Sequence, residues 1–288
     1  MNKVYQIITE RIIDRMKQGI IPWQRPWHTR QQTPKNLVTK LPYHGTNFFL
    51  LWSLGYESPY FLTMRQANEL GGSIRAGEKA LPVVFWRILK FAEEIAPDGQ
   101  PKKVPMLRYY NVFNSSQCEN LDGKIPSYSD EDNSFSSIEA AELAVGSMPT
   151  RPHIEHGHTR AYYSPVNDAI CLPSPERFDR PEDYYATLFH ELVHSTGHAT
   201  RLARRDWLSG DDKHDAYSKE ELVAEMGATF LCAETGILAS QVDRSAAYIQ
   251  SWIETFENNH RLIFTAATHA QKAVDFILNR VAVHIASN

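Results

Sequence analysis

Residues 181–198 read PEDYYATLFHELVHSTGH, and within them His190-Glu191-Leu192-Val193-His194 forms an HExxH motif. Apolar residues recur at helical spacing from Tyr184 to His194, so the motif is predicted to lie on a helix over 181–196. Histidines at i and i+4 then project from one face and can hold a single Zn²⁺. Glu191, one position on, points to the side, where it can serve as general base without becoming a ligand. Two histidines on a surface helix also arise by chance, so the motif needs support from elsewhere in the chain.

Residues 218–232, SKEELVAEMGATFLC, supply it. They are predicted to form a helix with Ser218 as N-cap and Glu221 as its N3 partner in a capping box. Glu221 and Glu225 are four apart and share a face. A catalytic zinc site needs a third protein ligand beside an open position, and an outer carboxylate to orient a ligand histidine. Glu221 can serve the cap or the metal, and Glu220 replaces it if the helical phase differs by one. The arrangement resembles thermolysin-like peptidases (gluzincins), whose third ligand is a Glu on a following helix with an acidic residue one turn later behind it. That resemblance implies Glu221 as ligand and Glu225 as the supporting carboxylate.

His198 lies one turn beyond His194, but Gly197 is predicted to end the helix, and the metzincin spacing is absent. His198 is therefore expected to face substrate or support the site rather than bind metal. Tyr217, just ahead of the glutamates, is expected to donate to an oxyanion, as is His198. The segment AYYSPVNDAICLP (161–173) is predicted to be an edge strand along the cleft, and HIEHGH (153–158) a loop of solvated histidines. The expected cofactor is Zn²⁺, with Mn²⁺ able to take its place because one ligand is a carboxylate. The metal would acidify a water, and Glu191 would pass its proton to a leaving amine.

The 288 residues suffice for one large domain or two ordinary ones, and 42% apolar with 22% charged residues is the balance of a globular protein. The N-terminal amphipathic pattern has no h-region, no stretch reaches the ~18 apolar residues of a membrane span, and three cysteines without a CxxC pair suit a reducing compartment. A cytoplasmic protein without a membrane partner is expected. Charge is uneven. Residues 1–126 hold 17 Lys and Arg against 10 Asp and Glu, whereas 127–288 hold 13 against 24. The change falls at a Ser-, Asp- and Asn-rich stretch, 115–137, predicted to be a linker between domains at 1–126 and 138–288.

The basic half reads as mixed α and β. Helices are expected up to Lys17, over Asn47–Leu54 and after an N-capping Thr63, with strands at LPVVFWRIL and MLRYYNVF. The acidic half reads as mainly helical. Aromatic and basic residues alternate in Trp23-Gln24-Arg25-Pro26-Trp27 and in Arg108-Tyr109-Tyr110, while Arg75 and Lys79 sit on a glycine-containing turn. Rings that stack on bases beside cations that neutralise phosphates are what single-stranded DNA requires. Trp23, Arg25, Trp27, Arg75, Lys79, Arg108 and Tyr109 are the candidate contacts. Core packing is the competing reading for the tryptophans.

PWQRPW, LPYHGTNFFLLW, FLTMRQANELGGSIRAGEKALPVVFW and RYYNVFN resemble, in order, the N-terminal domain of ArdC-type antirestriction proteins, a domain that also begins certain conjugative-plasmid primases. FHELVHSTGHATRL and YSKEELVAEMGATFLCAETGI are similar to the zincin-like domain that follows it. The resemblance implies an α+β chain with a small mixed α/β domain that binds single-stranded DNA, then a mainly helical gluzincin-like metallopeptidase domain. It implies protection of incoming conjugative-plasmid DNA from host restriction, and leaves the peptidase substrate, a protein or peptide, unspecified. Two other readings stand beside it. One is a regulatory metalloprotease localised by DNA, and the other a DNA mimic built on the acidic half.

Overall fold

The computed structural model describes residues 3–23, 33–95, 101–126, 137–204, 213–238 and 246–280. In chain order, α1 (Lys3–Lys17) precedes β1 (Lys35–Asn36), α2 (Thr46–Trp52), β2 (Tyr60–Leu62), α3 (Met64–Glu69) and β3 (Ser73–Ile74). A long ribbon, β4 (Leu81–Ile95) and β5 (Pro101–Asn114), leads to β6 (Cys118–Glu119). Next come α4 (Ser137–Ser147), β7 (His153–His156), β8 (Tyr162–Ser164), β9 (Ala169–Leu172) and α5 (Pro181–Ser195). Three helices complete the described chain: α6 (Lys213–Thr235), α7 (Ala246–Asn258) and α8 (Leu262–Ile277). The chain is thus α+β, and no helix among the described residues is long and apolar enough to cross a membrane.

The N-terminal sheet has the order β1-β2-β5-β4, and β3 pairs antiparallel with β6. Thr63 caps α3 as expected: its hydroxyl accepts from Gln66 N, and the Gln66 side chain accepts from Thr63 N. The beginning of the expected linker is structured, since Cys118 pairs with Ile74 and is buried. Residues 127–136 lie outside those described.

The largest apolar cluster spans both halves, while two smaller ones lie within the N-terminal half. Ile8, Ile12 and Met16 of α1 belong to the same apolar cluster as the helices α5 to α8. Phe48 and Phe49 of α2 place their rings 4.7 Å from that of Phe230 in α6. Thr9 Oγ1 donates to the carbonyl of His260 at 2.8 Å. The amphipathic stripe of α1 is thus buried against the C-terminal helices, which is where its apolar spacing finds a partner.

Beneath the cleft lies a three-stranded sheet ordered β7-β9-β8. The segment 161–173 is therefore a hairpin rather than one strand, with Asp168 at φ 47° in its turn. His153–His156 is a strand parallel to β9, not a loop. Its sequence hides this, because only Ile154 is partly buried against the core.

Candidate metal centre

Helix α5 carries the HExxH motif as predicted, with Leu188, Leu192 and Val193 buried beneath it and the two histidines on its cleft side. Helix α6 crosses it closely. At Gly227 an added Cβ would stand 2.7 Å from a methyl of Val193, so only a glycine permits this approach. The crossing brings the glutamates of α6 to the histidines of α5.

His190 Nε2 and His194 Nε2 are 3.0 Å apart. Glu221 places one carboxylate oxygen 3.5 Å from His190 Nε2 and the other 3.4 Å from His194 Nε2. Donors held ~2.0–2.2 Å from a common ion at tetrahedral angles stand about 3.3 Å from one another. Two imidazoles and a carboxylate at these separations fit one divalent cation. Burial lowers the His194 pKa, but Glu220 and Glu221 outweigh it and push it up to about 9. Burial likewise raises the Glu221 carboxyl, and the histidines overcome it to hold that carboxyl well below its ordinary range. The pocket is built around a positive charge at its centre.

Glu191 is 7% exposed, and burial raises its carboxyl above the ordinary value against the opposing pull of His190 and His194. It accepts a backbone hydrogen bond from Tyr163 of β8. A carboxyl raised by burial is a better proton acceptor than a surface glutamate. The edge strand β8 forms one wall of a 510 Å³ cleft lined also by His198, Arg204 and Tyr217.

Not every expected role falls where the sequence put it. Helix α6 already runs from Lys213, so Ser218 lies inside it and caps nothing, leaving Glu221 free to face the histidines. Glu225, one turn on from Glu221, accepts from Trp23 Nε1 at 2.9 Å and from the Tyr248 hydroxyl at 2.6 Å. Behind His194 stands the carboxylate of Glu220, 3.5 Å from its Nδ1. Glu220 is in turn gripped by buried Arg204, whose guanidinium also donates to the Val193 carbonyl at 2.8 Å. Arg204 was not foreseen, and Arg201, bidentate to Asp168 at 2.8 Å on both arms, also escaped notice.

His198 lines the cleft with its Nδ1 on Thr200 Oγ1 at 2.8 Å, and is absent from the metal-competent group His190, His194 and Glu221. Tyr217 is exposed at the rim, with Glu221 the main influence raising its phenol.

Of the DNA contacts expected, Trp23 is a core residue. It is 1% exposed, edge-on to Trp252 and Phe256, with no face left for a base. Arg25 and Trp27 lie outside the described residues. Arg75 is not free on its turn, because its guanidinium donates to Glu78 and to the Ser116 carbonyl. Lys79, Arg108 and Tyr109 are exposed. Trp86 is 53% exposed on the β4–β5 ribbon near Tyr109, which is 46% exposed.

Residues 2–113 match the family described as the N-terminal domain of anti-restriction factor ArdC, and residues 142–269 match a zincin-like metallopeptidase family. Antirestriction ArdC protein from the R388 plasmid, in its metal-free form, is 37% identical with a TM-score of 0.77, covering 96% of this chain and 97% of that one. Its Mn(II)-bound form gives 36% and 0.75, covering 97% and 98%. DNA primase TraC of Escherichia coli is 34% identical over 95% of this chain, which spans only 27% of that primase. The uncharacterized protein y4eC of Sinorhizobium fredii (strain NBRC 101917 / NGR234) is 32% identical over 95% of this chain and 91% of its own length.

Proposed function

Since the chain belongs to the ArdC antirestriction family and carries its zincin-like, metal-binding domain, we propose that it binds single-stranded DNA and shields incoming plasmid DNA from host restriction. The observation that carries this reading is the β4–β5 ribbon. Trp86 and Tyr109 lie exposed on one face, while Arg87 and Arg108 extend from the other beside the Phe85–Tyr110 ring pair. Large rings left half-exposed on a strand pair and set near arginines suit bases and phosphates. Lys79 adds positive charge nearby in sequence, and the 17-to-10 excess of basic over acidic residues in 1–126 favours a polyanion.

The cleft supports a second activity in the same molecule, hydrolysis of a peptide or protein. A divalent cation on His190, His194 and Glu221, zinc by the donor set with manganese as substitute, would supply Lewis acidity and an acidified water. The chain's own residues then divide the work. Glu191 Oε takes a proton and returns it to the leaving amine. The exposed backbone edge of β8 offers an extended peptide a strand to pair with, beside Tyr163. Tyr217 and His198 stand at the rim, where each can donate to a developing oxyanion. Glu220 and Arg204 hold the imidazole of His194 in place.

Titrating fluorescent single-stranded and duplex oligonucleotides into the full chain tests the DNA reading. Selective single-strand binding that weakens when Trp86, Arg108 and Tyr109 are changed together to Ala is expected. Equal binding by that variant refutes the ribbon as the contact.

A further inference from the structure

A second donor cluster lies on the sheet face that points away from the core. Glu155 of β7 and Cys171 of β9 are cross-strand partners, as are Cys171 and Tyr162 of β8. Partners across a ladder project to the same face, so Glu155, Cys171 and Tyr162 form a row over three strands. The chain after β7 returns over this row, anchored by His158 N donating to the Leu172 carbonyl at 3.1 Å. It sets His158 Nε2 3.5 Å from Glu155 Oε2. A ligand atom each from Glu155, His158 and Cys171 lies within 4.8 Å of the others. The thiol is the buried floor, the imidazole is partly exposed and the carboxylate is at the surface, so an ion has a path in.

We propose that Glu155, His158 and Cys171 form a second metal site, distinct from the HExxH centre, that takes a zinc-class divalent cation. A thiolate with an imidazole and a carboxylate is a donor set that zinc and cobalt accept in tetrahedral geometry, whereas magnesium and calcium require oxygen. Binding displaces the thiol proton to solvent, and thiolate plus carboxylate then neutralise the ion. The Tyr162 hydroxyl, within hydrogen-bonding reach of Cys171, closes the row on the third strand. The consequence reaches the cleft. An ion here would tie β7 to β9, the strand on which β8 is laddered, and the Tyr163 backbone of β8 donates to Glu191 in the cleft.

Cobalt provides a readout that separates the two centres. The HExxH centre has no sulfur donor, so only the proposed site gives a thiolate-to-cobalt charge-transfer band in the near ultraviolet. Titrating Co²⁺ into the full-length protein should produce that band, and it should persist when His190 and His194 are both Ala. It should vanish in Cys171→Ser and weaken at least tenfold in Co²⁺ affinity in His158→Ala, with unchanged circular dichroism. No band at saturating Co²⁺ in the folded wild type overturns the proposal. So does a band of undiminished strength in Cys171→Ser, which would assign the sulfur to Cys118 or Cys232.

Discussion

Trp23 Nε1 donates to Glu225 Oε2 at 2.9 Å, joining the segment after α1 to the helix that carries Glu220 and Glu221. The same carboxylate accepts from the Tyr248 hydroxyl at 2.6 Å, so a partly buried charge binds three elements of the shared core. Trp23→Phe keeps most of the ring's apolar burial and removes one donor from that carboxylate. A loss of about 1–3 kcal/mol in unfolding free energy is expected by chemical denaturation. Affinity of the folded variant for single-stranded DNA should not change. Weaker DNA binding with unaltered stability would return Trp23 to the nucleic-acid surface.

Gly227 and Val193 set the spacing of α5 and α6. Gly227→Ala drives a Cβ against the Val193 methyls and should destabilise by about 1–3 kcal/mol. Because Glu221 rides on the displaced helix, calorimetric affinity for Zn²⁺ or Mn²⁺ at the HExxH centre should fall at least tenfold. Adding Val193→Ala should relieve the clash and restore part of that affinity. His190→Ala with His194→Ala should lose this metal outright, and retention of it there removes these residues as ligands.

How much was legible in the sequence follows from the range of each signal. The helical period around His190 and His194 is local, and α5 formed as read. Glu221 was identified by family likeness, while the local capping rule at Ser218 misled because α6 begins earlier. Glu220 and Arg204 were missed in their roles since Arg204 reaches α5 only through a loop path that passes Ala203 at φ 47°. The burial of Trp23 depends on contacts more than 200 residues away, which no local pattern encodes. The strand His153–His156 lacks the alternation that marks a half-buried strand.

Asp168 and Arg201 predict an acid-dependent contribution. Arg201 hydrogen bonding is the main cause that holds the Asp168 carboxyl below its ordinary value, with Tyr163 assisting. A depressed folded pKa gives stability that is present above the unfolded value, about 4, and is lost as pH falls through the folded one. Asp168→Asn leaves the buried Arg201 without its partner's charge and should cost about 1–2 kcal/mol at pH 7, less than for a fully buried pair because Asp168 is 37% exposed. The stability gap between wild type and variant should begin to narrow near pH 4 and close only below the depressed folded pKa. A gap that stays constant into acid contradicts the ion pair.

On the ribbon, Trp86→Ala and Tyr109→Ala should each weaken single-stranded DNA binding by about 1–3 kcal/mol if the rings stack on bases. Arg108→Ala should act differently, lowering the log–log salt slope by about 0.7 for the one phosphate it neutralises. Fluorescence anisotropy over a salt series reads both effects. Identical slopes for wild type and Arg108→Ala would show that this arginine contacts no phosphate.

Protection is expected to rest on the β4–β5 ribbon rather than on hydrolysis in the cleft. Conjugative transfer into a restricting host, scored for wild type, Glu191→Gln and the triple variant of Trp86, Arg108 and Tyr109 to Ala, tests it most directly. Glu191→Gln removes the base without removing a ligand, and it should protect incoming DNA as wild type does. The ribbon variant, folded and metal-bound, should not protect. Loss of protection in Glu191→Gln that still binds single-stranded DNA would contradict the account and assign protection to the protease.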